Sequence, residues 1–273
     1  MQAVFIRHSM SSTDEIIDEL WSKRLIAVYF ENKPSTKPED YDSAGKKALE
    51  RLGRCCKSGA IVGVAVGAKF KVHSGSMLVG EIESGSKVEA KDFGGFIYKT
   101  VQLKNAREVY YRDYPLLAAI QPRLTTITDW PSAQKYLEAI LGKEKVPCEV
   151  GSLHPSQLEV ICYEYLRMKK VLSNLLMPIG RTLQDVDIVG IDSQGKNIFA
   201  QVTGSTHHKE IEKKIDKLKS YKSEDSALIF FGPKSQEKRY ENIQYISIED
   251  VFKVLTEDPE SSCSNMIHKM LRW

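Results

Sequence analysis

Residues 186–203 limit the possible folds of this chain more than any other segment. Two apolar runs, VDIVGI and NIFAQVTG, are separated only by DSQGK. Runs this short read as strands, and a turn led by Asp with Gly near its end closes a β-hairpin. Side chains alternate along a strand, so Ile198, Ala200 and Val202 face one way and Phe199, Gln201 and Thr203 the other. Gln201 is the informative residue, because a polar amide between apolar neighbours costs free energy when it is buried without partners. Asp187 opens the partner strand, and Glu159 lies in the first turns of the preceding helix, Ser156 to Lys170. Two acids and an amide form an oxygen donor set suited to Mg²⁺, which takes few protein ligands and leaves room for water and a phosphate. Such an ion activates water and stabilises the leaving oxygen of a phosphodiester. Plainer readings stand beside this one. Ser156-Gln157-Leu158-Glu159 matches the S-x-x-E capping box, Asp185 and Asp187 suit turns, and Thr203 is a good strand former. His207 and His208 read as a solvated pair.

The composition changes most clearly over KEKVPCEVGSLHP, residues 143–155. A boundary there gives two domains, residues 1–148 and 149–273, each of ordinary size. The first half is β-rich. Glycine and serine punctuate the runs AVFIR, LIAVYF, AIVGVAVG, FKVHSG, MLVGEIESG and YKTVQLKNAREV, which predicts a small curled sheet or barrel with flanking helices. The second half reads α-(β)-β-β-α-β-β-α. With 42% hydrophobic and 27% charged residues, each half can build a core, which excludes a disordered tail or a collagen-like repeat. A net charge of +3 permits a nucleic-acid partner without requiring one. Five cysteines with no CxxC pair argue against a disulfide framework and a structural zinc site. There is no apolar stretch of membrane-spanning length and no signal-like N-terminal run, so a reducing cytoplasmic compartment and no membrane partner are expected.

Residues 153–231 resemble the nuclease core named for its PD-(D/E)xK motif, in the style of Mrr-like restriction endonucleases and archaeal Holliday-junction resolvases. The resemblance rests on Glu159 in HPSQLEVICYEYL, Asp187 in DVDIVGI, the glycine turn, and Gln201 in NIFAQVTG. It implies an α/β restriction-endonuclease-like core of order α-β-β-β-α-β, with Glu159, Asp187 and Gln201 as metal ligands and catalytic groups and Mg²⁺ as cofactor. Thr203 stands where the family carries its motif lysine, and a hydroxyl supplies no positive charge. The resemblance therefore implies a lysine brought from the next helix, with Lys209 or Lys213 as candidates and Lys209 the expected catalytic one. The activity implied is Mg²⁺-dependent DNA endonuclease action of the restriction or phage-defence kind, with a homodimer to cut both strands. Lys213, Lys214 and Lys217 on the lysine-rich helix, with Arg123 in the first half, are expected at the DNA backbone. The alternative is a degenerate nuclease fold that binds nucleic acid without cutting it; an RNA-directed enzyme is the third reading.

The first half faintly resembles the PUA/EVE-like group, which holds modified bases in a pocket. That resemblance implies a substrate-recognition role, with Trp21, Tyr29 and Tyr98 as pocket walls. A flipped base needs such stacking faces. Buried aromatics of the core provide the competing reading.

Overall fold

The computed structural model describes residues 1–8, 13–123, 126–143, 146–180, 183 and 185–271. The chain divides into two compact units, Met1–Val146 and Pro147–Arg272. The expected boundary after residue 148 falls just inside the second unit.

The first unit runs β1 (Gln2–His8), α1 (Asp14–Ser22), β2 (Leu25–Val28), α2 (Ser43–Ser58), β3 (Ala60–Val66), β4 (Ser76–Ile82), β5 (Glu89–Phe93), β6 (Phe96–Gln102), β7 (Lys104–Tyr110), α3 (Pro115–Ile120), β8 (Ile127–Asp129) and α4 (Gln134–Ile140). Its strands form an open five-stranded sheet, β7-β4-β3-β1-β8, and a separate three-stranded sheet, β2-β6-β5. No barrel closes among the described residues. β1 and β3 are parallel, joined by a crossover that contains α1, β2 and α2. Both faces of the large sheet are covered, which explains why AIVGVAV is apolar throughout rather than alternating. Val4, Ile6, Val62 and Val64 pack against Leu49, Leu52 and Cys56 of α2. Phe5, Ile61 and Val79 pack on the other side against Leu117, Tyr136 and Leu137. The segment FKVHSG is not a strand: residues 68–75 form turns. His73 there adopts φ +53° and sets both ring nitrogens against carboxylates, Glu108 at 3.0 Å and Asp18 at 3.1 Å.

The polar loop ENKPSTKPEDYDS is anchored from beneath. Lys99 of β6 is fully buried, donates to the carbonyls of Phe30, Glu31 and Ile97, and lies over the Tyr41 ring.

The second unit runs α5 (Pro155–Met168), β9 (Asn174–Leu175), β10 (Ile188–Ile191), β11 (Asn197–Val202), α6 (His208–Lys219), β12 (Ser226–Gly232), β13 (Ile243–Ser247), α7 (Ile248–Thr256) and α8 (Ser262–Met270). The sheet order is β13-β12-β11-β10-β9. β10 and β11 form the expected antiparallel hairpin, with Asp192 Oδ1 accepting from the Gln194 and Lys196 amides and Gly195 at φ +85°. β11, β12 and β13 are parallel. Ile211, Ile215 and Leu218 seat α6 on Val189, Leu228 and Phe230. The unit is thus mixed α/β, with a helix before the hairpin and another between the parallel strands. No helix among the described residues is long and apolar enough to cross a membrane.

Candidate functional site

The hairpin register decides where the polar residues meet. Ile188 pairs with Ala200, so the next step along the ladder sets Asp187 opposite Gln201. The Asp187 amide extends the ladder, donating to the Ala200 carbonyl at 2.9 Å. Its carboxylate turns across the strand: Oδ2 accepts from the Val202 amide at 2.8 Å and from Gln201 Nε2. Gln201 also donates Nε2 to the Val202 carbonyl at 3.2 Å, so this 6%-exposed amide is not orphaned and its Oε1 remains as an acceptor. Both hydrogen bonds given to Asp187 by the described residues fall on Oδ2, which leaves Oδ1 as a donor atom for a ligand. Burial pushes the Asp187 carboxyl above its ordinary range, against the pull of the Val202 amide, the Lys214 ammonium and the Gln201 amide.

Glu159 comes from α5. The plainer capping reading does not hold: the cap is His154, whose Nδ1 accepts from the Ser156 amide at 3.3 Å, while Gln157 Oε1 accepts from the His154 amide at 2.9 Å. Proline at the first helical position starts the helix one residue earlier than Ser156. Glu159 instead lines a cavity of about 980 Å³ together with Asp187, Gln201, Thr203, Glu210 and Lys214. The fully buried Cys162, one helical turn after Leu158, registers both charges. Burial drives its thiol well above the usual range, and Asp187 and Glu159 add to the rise.

Gly180 lies against the Glu159 side chain and the Asp187 main chain, and no sequence motif marks it. Its amide donates to the Asp187 carbonyl at 2.9 Å, its φ is +74°, and a Cβ there would sit 2.4 Å from Glu159 Oε2. A positive φ combined with a carboxylate against the α-carbon leaves room only for glycine.

Thr203 follows β11 and is 6% exposed. Its hydroxyl accepts from Lys214 Nζ at 3.2 Å and from the Ser205 amide at 3.2 Å. Glu210, one turn before Lys214, lies 3.7 Å from the same ammonium and accepts from Ser205 Oγ at 2.7 Å. An ammonium therefore stands beside position 203, but it belongs to Lys214. Lys209 and Lys213 are exposed and do not line the cavity. The helix period alone separates these three lysines. Taking Ile211 as reference at about 100° per residue, Lys214 lies about 60° away, whereas Lys209 and Lys213 lie about 160° away, on the solvent side.

The remaining candidates fall elsewhere. Lys217 pairs with Asp185, which absorbs its charge. Arg123 belongs to the first unit; its side chain is exposed and its carbonyl accepts from the Arg7 guanidinium. Trp21 and Tyr98 are corrected outright. Each is 2% exposed, Trp21 stacks on His73 at 4.5 Å, and Tyr98 packs on Phe93 and Tyr29. Neither has a free face for a base. Tyr29 is half-buried against Phe96 and Tyr98.

Among the described residues, no three His, Cys, Asp or Glu gather closely enough to hold a metal ion. Of the acids that line the cavity, Asp187 and Glu159 are the two that the sequence offers as ligands, and Glu210 is engaged with Ser205 and Lys214. Two carboxylates with an amide oxygen still fit Mg²⁺, which keeps most of its waters and takes substrate phosphate as a ligand. They do not fit zinc, whose sites are built from thiolate and imidazole.

No protein-family model and no curated protein matches the chain. A solved structure, the crystal structure of a repair endonuclease from Pyrococcus abyssi, is similar at 12% identity, with 86% of this chain and 95% of that chain covered and a TM-score of 0.25. A likeness at that level carries nothing about chemistry, which must be argued from the site itself.

Proposed function

We propose that this protein is a Mg²⁺-dependent nuclease that hydrolyses DNA phosphodiester bonds, with the second unit as a restriction-endonuclease-like core. The observation that carries the reading is Lys214: its ammonium rests on the Thr203 hydroxyl, in the same cavity as Asp187 and Glu159. A site that has lost a strand lysine yet keeps an ammonium at that place retains the means to balance charge on a phosphate.

In this reading Asp187 Oδ1, Glu159 and Gln201 Oε1 hold the ion. When bound, Mg²⁺ polarises the phosphate and lowers the pKa of a bound water. The chain's own residues do the rest. The Val202 amide and Gln201 fix the Asp187 carboxylate in one rotamer. Lys214 places a positive charge where negative charge develops on the phosphate oxygens, and Thr203 with Glu210 orients that ammonium. A duplex has two strands to cut, so the reading includes a homodimer of the restriction or phage-defence kind. With Trp21 and Tyr98 in the core, recognition of a modified base is not carried forward.

The test uses supercoiled plasmid with Mg²⁺ or EDTA. Nicking or linearisation is expected only with the metal. Asp187→Ala should abolish it, and Lys214→Met should slow it by roughly 10²–10³-fold, the loss typical of a transition-state charge partner. Binding without cutting, on DNA and on RNA, with Mg²⁺ or Mn²⁺, would overturn the reading in favour of a degenerate fold that only binds.

A further inference from the structure

The exposed side of α2 carries a basic face with no use inside the first unit. Lys46, Lys47, Arg54 and Lys57 are all exposed there, and among the described residues none has an ion-pair partner. The helical period gathers these four, with Glu50 as the lone acid, within about 100° of arc. Arg51 is set apart: it turns inward to the Ile127 carbonyl at 2.6 Å and towards Asp129 at 3.6 Å. The opposite side of α2, through Leu49, Leu52, Cys55 and Cys56, is spent on the core.

Gly53 is a second and independent oddity on this face. It lies in the middle of a 16-residue helix, at ordinary helical φ, and a Cβ there would meet nothing within 4 Å. Glycine in an exposed helix interior is unfavourable relative to alanine. Among the described residues, neither a turn nor a close packing contact accounts for it. It is four residues before Lys57 and seven after Lys46, so it makes a bare strip between two cations on one line of the helix. A bare strip lets an extended ligand approach the helix backbone closely.

We propose that this α2 face is a docking surface for the sugar-phosphate backbone of a nucleic acid, contacted without reading of sequence. Lys46 and Lys57 are separated by about 16 Å along the axis, the length of a short run of successive phosphates on one strand. Four unpaired cations against one acid complement that polyanion, and cations spread along a strand, rather than converging on a point, suit a chain of phosphates better than a single anion. The choice of duplex DNA as the first ligand rests on the nuclease reading; the charge and shape of α2 do not.

The experiment is fluorescence anisotropy of labelled 30-base-pair duplex DNA in EDTA, titrated across salt, with RNA of the same length and vesicles rich in phosphatidylserine as separate arms. Wild type is expected to bind nucleic acid, with log K falling steeply against log salt. Replacing all four cations by Gln should reduce the slope by roughly 3 to 4, at about 0.9 per phosphate contact. Gly53→Glu places a carboxylate on the bare strip and should weaken binding at least tenfold, yet leave the thermal midpoint equal or higher because Glu is the better helix former. An unchanged slope in the fourfold variant, unchanged binding in Gly53→Glu, no binding by wild type, or binding to vesicles alone each overturns the proposal. Metal-dependent plasmid cleavage measured alongside keeps the two readings apart: cleavage with an unchanged slope removes the α2 surface only, and slope-sensitive binding without cleavage removes the nuclease only.

Discussion

At the scale of single residues, Asp187 joins function to a stability cost. Its carboxyl titrates above its ordinary value of 3.8 because burial disfavours the charge more than its hydrogen bonds and Lys214 favour it. The folded state therefore holds its proton to higher pH than the unfolded state does. Stability from this group is greatest in acid and declines as pH rises from about 3.8 through the folded value, and the cost is fully present at neutral pH. Asp187→Asn removes the charge and keeps an oxygen for the Val202 amide. Metal-free protein with this change is expected to melt at an equal or higher temperature at pH 7, while the Mg²⁺-dependent thermal shift disappears. A clear fall in the metal-free midpoint would show that the carboxylate stabilises the fold instead. In wild type the Mg²⁺ shift should fade on acidification at a higher pH than an unperturbed carboxylate would give, since proton and ion compete for the same oxygen. Isothermal titration across pH 4.5–8 checks this.

At the scale of elements, the site depends on how α6 and the loop before β10 are seated. Lys214 reaches Thr203 because Ile211, Ile215 and Leu218 lock the helix onto the sheet. Ile215→Ala is expected to cost about 2–5 kcal/mol in denaturant unfolding. At concentrations where the variant stays folded, it should lower kcat more than KM, because the ammonium loses its alignment without losing the cavity. The loop before β10 has the opposite sensitivity. Gly180→Ala meets both a positive φ and the Glu159 carboxylate. It should cost about 1 kcal/mol or more in stability and displace Glu159, so that Mg²⁺ affinity falls while Asp187 and its strand are intact. A Gly180→Ala variant with wild-type metal affinity would show that Glu159 is not a ligand. In the first unit, Lys99→Met strips the ammonium from the carbonyls of Phe30 and Glu31, where the 31–43 loop begins, and of Ile97 in β6. Buried acceptors left without a donor cost about 1–3 kcal/mol in total stability, and hydrogen exchange should quicken in that loop before it does in β6.

At the scale of the whole molecule, each unit owns a separate core. Ile211, Ile215, Leu218, Leu228 and Phe230 belong to a core cluster made of second-unit residues. A fragment of residues 147–272 is therefore expected to unfold cooperatively and to keep the Mg²⁺ thermal shift of the intact chain. Loss of cooperativity in calorimetry would show that the first unit is needed for folding. Exposed cations lie on both units, among them Lys46, Lys47, Arg54 and Lys57 on α2 in the first and Lys209 and Lys213 on α6 in the second. Binding of nucleic acid by the full chain should accordingly be steeper in salt than binding by the fragment.

Much of this was legible from local pattern. Alternation and the Asp-Gly turn specify the β10–β11 hairpin, and with it the meeting of Asp187 and Gln201, because those two residues are only one turn and two short strands apart. The apolar stripe of α6 is equally local, and it already separates Lys214 from Lys209 and Lys213 by angle. What depended on long-range packing was not legible. The first half shows the same apolar runs for an open sheet covered on both faces as for a barrel, since burial on both faces erases the alternation that distinguishes them. Trp21 and Tyr98 look the same in sequence as pocket walls and as core. Glu159 matches a capping box until His154 and Pro155 take the helix start. Gly180 has no motif, because its requirement arises only where α5 and the loop before β10 approach within a few ångströms. Local chemistry chose the elements and the residues able to act; the tertiary fold chose which of them face one another, since that depends on contacts the chain makes only when it closes.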